Sequence, residues 1–191
     1  MGDKYHHGDL KVQLIKIGLQ MIQENGIENL SLRKLAAKCN VSEAAPYSHF
    51  KNKDELLIAM QEYVTQQLQN CLENAYENTE KKHSTDAILN MGKAYVLFFM
   101  KYPEYYTFLF TQPCVKIDLS MNSCEDSFAP FQYFKEKAYF VYSKEGFTDE
   151  QIKYGVIAMW AKVHGVAAIA SMKYVERDFE WEDVLEKILV E

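Results

Sequence analysis

The sequence predicts an all-α fold, and three observations carry that expectation. Apolar residues recur at three- and four-residue intervals along most of the chain, strand-type alternation is nearly absent, and Ser, Asn, Gly and Pro fall where helices would start and stop. With 48% hydrophobic and 25% charged residues among 191, the chain can bury a core and reads neither as disordered nor as collagen-like. Its longest apolar run, Ala94 to Met100, is far below the roughly 18 to 20 residues that span a bilayer. No signal-peptide pattern opens the chain, so a soluble cytoplasmic protein without membrane association is expected.

The elements follow in order. Leu10, Leu14, Ile17 and Met21 share one face of a first helix, which Asn25-Gly26 closes with residues that tolerate a left-handed cap. Ser31 can cap a second helix whose apolar positions are Leu32, Leu35, Ala36 and Cys39, broken by Asn40-Val41 after two turns. Ser42 is a further N-cap candidate, with Glu43 near the positive end of the dipole, for a third short helix reaching about Phe50. Pro46 sits early enough in it to cost little. Asn52-Lys53-Asp54 restarts the chain into a long helix carrying Leu56, Met60, Val64, Leu68 and Leu72 at helical intervals. Helices are then expected from Thr85 to Tyr102, from Pro103 through Phe110 and from Ser127 to Glu145, with Thr111 to Asp126 as an irregular connection. Thr148-Asp149-Glu150-Gln151 has the form of a capping box and opens a helix to about Met172, and a last one spans about Glu180 to Val190.

Charge divides the chain at about residue 53. Residues 1–53 carry a net +3, while residues 54–191 carry −9. Two short helices around a tight turn at Asn40-Val41 form a helix-turn-helix candidate inside that basic head. Ser42, Ala44 and Ala45, near the start of the second helix, should face base edges in a major groove. Arg33 is the only arginine before Arg177, and its fork can bond guanine O6 and N7 together. Tyr47, Ser48, His49, Lys51 and Lys53 supply hydroxyls, an imidazole and cations of the kind that anchor a protein on phosphates. Two helices joined this way also occur in all-α enzymes and small-molecule carriers, so spacing alone leaves that reading open.

The stretch from Leu10 to Leu57, above all NLSLRKLAAKCNVSEAAPYSHFKNKDELL from Asn29, closely resembles the DNA-binding domain of TetR-family bacterial regulators and covers about a quarter of the chain. The family pattern Y-x-H-F-x-x-K stands here as Tyr47, His49, Phe50 and Lys53. The resemblance implies that Tyr47, His49 and Lys53 touch phosphates, that Phe50 packs in the core and that Arg33 reaches the groove. AAPYSHF departs from the Thr-Leu or similar pair that many members place before the Tyr, so Ala44 and Ala45 would read thymine methyls by apolar contact. The C-terminal part resembles a subgroup marked by W-x-x-x-H-G, here Trp160, His164 and Gly165, and the opening YHHGDL from Tyr5 to Leu10 is similar to that subgroup too. This likeness implies a helix-turn-helix domain over 1–53 and an effector-binding and dimerisation domain over 54–191. Such a protein is a regulator, most often a repressor and not an enzyme, that leaves a palindromic double-stranded operator when a small, mostly hydrophobic effector binds.

Two expectations concern the C-terminal domain. Val156, Met159, Val163, Val166, Ala167 and Ala170 line one helix face with small residues suited to a homodimer seam. Tyr95, Phe98, Phe99, Tyr102, Tyr105, Tyr106, Phe110, Phe131, Phe134 and Tyr139 crowd the middle of the chain and could line an effector pocket, with Trp160 and His164 adding a polar end. Helically spaced aromatics also build cores, and His164 would then be a core imidazole bonded to a neighbour. The four cysteines, Cys39, Cys71, Cys114 and Cys124, lack metal-ligand spacing and are expected as reduced thiols. Neither a cofactor nor a shared metal site is expected from the five histidines, and no nucleophile-base motif points to catalysis.

Overall fold

The computed structural model describes residues 7–81, 83–111, 115–121 and 126–190, excluding the side chains of residues 7–9 and 111, and every regular element among them is helical. Cys114, Cys124, Tyr5 and His6, on which expectations were placed, lie outside the described residues. Among the described residues eight α-helices follow one another: α1 (His7–Asn25), α2 (Leu32–Lys38), α3 (Lys53–Glu77), α4 (Thr85–Lys101), α5 (Pro103–Thr111), α6 (Ala129–Lys144), α7 (Asp149–Ala170) and α8 (Trp181–Val190). No helix among the described residues is long and apolar enough to cross a membrane.

The starts and stops are set by local chemistry. Gly26 ends α1 at φ 80°, and its N–H bonds the Ile22 carbonyl at 2.8 Å. Ser31 accepts from the Lys34 N–H to start α2. That helix ends in a Schellman motif: Asn40 takes φ 56°, its N–H bonds Ala37 O, and the Val41 N–H bonds Ala36 O. Asn52 accepts from the Glu55 N–H while the Glu55 carboxylate accepts from the Lys51 N–H, so two orphan donors are satisfied where α3 begins. At α7 the expected capping box is present, with Thr148 and Gln151 bonding each other's N–H.

The third helix differs from expectation. Residues 42–50 form turns around one short 3₁₀ helix, Ala45–Ser48, in place of an α-helix from Ser42 to Phe50. Pro46 supplies no N–H and is buried, and the turn closes through the Ala45 N–H to the Ser42 carbonyl, so Ser42 contributes its backbone there. Phe50 is buried as expected.

Helix α4 is the centre of the C-terminal part and packs against α3, α5, α6, α7 and α8. Its Gly92 is a close crossing point: a Cβ there would lie 3.2 Å from Val163 Cγ1 and 3.3 Å from Leu189 Cδ1. This packing corrects the expected seam. Val156, Val163 and Ala167 are buried within this chain, and Met159, Val166 and Ala170 pack partly against the same core. The outward face of α7 instead carries Ala158, Ala161, Gly165 and Ile169. Helix α5 packs on α1 and thereby ties the basic head to the rest of the chain.

Candidate functional site

The head presents most of the residues expected to touch DNA. Arg33, Ser42, Ala44, Tyr47, Ser48 and Lys51 are exposed, whereas Ala45 and His49 are half-buried, with Ala45 packed against the core. The αL residue Asn40 reverses the chain tightly enough that Arg33, near the start of α2, meets Glu43 beyond the turn: Arg33 Nε donates to Glu43 Oε1 at 2.9 Å. Ser48 donates its hydroxyl to the Ala45 carbonyl at 2.7 Å and thus tightens the 3₁₀ turn. Lys53 is placed differently from expectation. Its half-buried ammonium donates to the Ile27 carbonyl, joining the start of α3 to the turn after α1.

In the C-terminal part the aromatic residues expected to line a pocket mostly fill it. Tyr95, Phe98, Phe99, Tyr105, Phe131, Phe134 and Trp160 are buried, and Tyr102, Tyr106, Phe110 and His164 are half-buried. Tyr139 stays exposed and donates to Asp149 at 2.9 Å. The space left among Tyr95, Phe134 and Trp160 is about 10 Å³, which is at the lower limit for a single water. His164 stacks on Trp160 and meets Phe110 edge-on at 4.5 Å between ring centres. Its Nδ1 lies 2.9 Å from the Tyr95 hydroxyl on α4, and its Nε2 lies 3.1 Å from the Tyr106 hydroxyl on α5. A neutral imidazole has one donor and one acceptor nitrogen, so one phenol donates a hydrogen bond to the ring and the other accepts one from it.

Burial pushes His164 below its ordinary pKa and pushes the Tyr95 and Tyr106 phenols up, which favours the neutral form of all three. A stability effect with a definite sign follows. The unfolded chain protonates its imidazole at about 6.5 while the folded one resists, so the unfolded state binds more protons below that pH. This contribution is fully present above about pH 6.5 and is lost as pH falls towards the folded value. Urea midpoints should therefore drop more between about pH 7.5 and 5.5 in the wild type than in His164→Gln; equal drops would show that the imidazole is not held neutral.

Larger open volumes lie elsewhere. A cleft of about 280 Å³ between α6 and α7 has Phe134, Ala138, Tyr142, Ile152 and Met159 as apolar walls, with Lys162 and Gln151 as polar groups. A second, of about 540 Å³, separates the first half of α3 from residues 115–116 and 126–129.

Residues 14–60 match the family described as bacterial regulatory proteins, tetR family. Over those residues, about a quarter of the chain, the sequence is similar to that family. That tetR segment holds the whole of α2, the Schellman turn, the 3₁₀ turn and the start of α3. A nicotine-responsive transcriptional repressor from Paenarthrobacter nicotinovorans is 35% identical over 72 residues, which is 38% of this chain and 37% of that protein. The chain spans about a third of the length of the curated relatives it matches. Over the whole chain, the likeness to solved structures is one of fold. A TetR-family regulator from Haemophilus influenzae has TM-score 0.68 at 23% identity, covering 96% of both chains. A putative transcriptional regulator from Pseudomonas aeruginosa has TM-score 0.71 at 15% identity, covering 98% of this chain and 90% of that one.

Proposed function

We propose that the chain is a cytoplasmic, homodimeric transcriptional repressor of the tetR type, with a C-terminal domain of the W-x-x-x-H-G kind. The two heads grip a palindromic operator, and a small effector releases them. The observation that carries this reading is the exposed set Arg33, Ser42, Ala44, Tyr47 and Lys51 gathered around the turn of the tetR segment. Arg33 reads base edges; Tyr47, Ser48, His49 and Lys51 anchor on phosphates. Dimerisation uses the outward face of α7, where Ala158, Ala161 and Gly165 allow close helix approach. A mostly hydrophobic effector fits the cleft between α6 and α7, whose Gly155 and Ala158 adjoin that face, so occupancy there can alter the spacing of the heads. The nicotine-responsive relative supports small-molecule release.

Selection from a randomised duplex library by the purified protein tests this. Inverted repeats should be enriched, with affinity that falls steeply with salt because phosphate contacts release counterions. An effector that weakens operator binding must be weakened by operator to the same factor. No enriched sequence would remove the regulator reading and favour the helical carrier or enzyme.

A further inference from the structure

We propose that Glu43 is a positioning residue that sets the Arg33 guanidinium for end-on reading of a base. The proposal rests on the DNA-reading role given to the head above and adds the group that orients the reader. Between Asn29 and Lys53 the chain has five basic residues and one acidic residue, Glu43. A carboxylate on a face meant for a polyanion weakens every phosphate contact near it, so its position there calls for a compensating role. The structure gives it one: Glu43 Oε1 accepts from Arg33 Nε at 2.9 Å.

Which nitrogen is used matters. Arg33 and Glu43 have side-chain exposures of 77% and 67%, so core packing holds neither in place. An exposed ion pair contributes little to stability, but it can restrict a long side chain to few rotamers before DNA arrives. The pair engages Nε, the nitrogen nearest the chain, so the side-on edge formed by Nε and one Nη group is committed to Glu43. The edge formed by the two Nη groups points away from that bond and matches guanine O6 and N7. The Schellman turn holds the two partners, ten residues apart, within reach of each other.

The test titrates wild type, Glu43→Ala, Glu43→Gln, Arg33→Ala and the two double variants against two duplexes. One is the duplex selected from a randomised library by the wild type, and the other is a scrambled duplex of equal length. Glu43→Ala should narrow the ratio of the two affinities about two- to tenfold per half-site, the scale set by ordering one long side chain, while binding scrambled DNA more tightly. Glu43→Gln keeps an acceptor for Nε without the charge, so it should tighten scrambled binding yet retain more of the ratio than Glu43→Ala. With Arg33→Ala present, neither Glu43 variant should change the ratio. An unchanged ratio in Glu43→Ala overturns the proposal. So does the same narrowing with and without Arg33, which would make Glu43 itself the base reader. A wild-type ratio in Arg33→Ala would overturn base reading by Arg33, and this proposal with it, while leaving DNA binding standing. Both Glu43 variants keep an exposed site, and matching thermal melts confirm that all chains are folded.

Discussion

Ala167→Glu should destabilise the fold strongly. Ala167 lies on α7 with no exposed surface, on the face that meets the core built around α4. A carboxylate there is either buried as an unpaired charge or forces α7 away from the core, and either costs more than about 3 kcal/mol. Domains of this size hold about 5 to 15 kcal/mol in all. Ala161→Glu, on the exposed face of the same helix, should fold like the wild type. If that face is the dimer seam, Ala161→Glu should also sediment as a monomer. Circular dichroism and urea unfolding check the first result, and sedimentation checks the second. Wild-type stability in Ala167→Glu would mean that α7 packs through its other face.

Arg33→Ala should cost about 1 to 3 kcal/mol per half-site on the selected duplex, hence about 2 to 6 in a dimer, and far less on scrambled DNA. Tyr47 is 57% exposed and supplies the matching control. Tyr47→Phe removes a hydroxyl alone, so it should weaken both duplexes alike. Lys53 is no longer a simple phosphate probe. Its ammonium holds the Ile27 carbonyl, so Lys53→Ala should also lower stability by about 1 kcal/mol. Titration on both duplexes at several salt concentrations separates these effects. Equal weakening of both duplexes by Arg33→Ala would place α2 on the phosphates and not in the groove.

Much of the helical plan was legible because helix ends are decided within a few residues. Ser31, Asn52, Ser84 and Thr148 each accept from the N–H three residues on, and Gly26 and Asn40 take the left-handed conformation that ends a helix. The 3₁₀ turn at Ala45–Ser48 is the exception: Pro46 was visible, but the turn that buries it packs against α2, which local spacing does not show. Of the residues expected to touch DNA, Arg33, Tyr47 and Lys51 are exposed, while Lys53 is turned to the Ile27 carbonyl 26 residues away.

By itself, then, the sequence determined the all-α class, most of the helix limits, the basic head and its tetR-like motif, since each of these is written in neighbouring residues. Tertiary structure alone decided the partners. Glu43 beside Arg33, Tyr95 and Tyr106 on either side of His164, and the inward turn of Val156, Val163 and Ala167 join residues that local spacing cannot connect. Helical periodicity tells which residues share a face. What covers that face is settled by the other helices, and α4 covered the one that had looked free for a second copy.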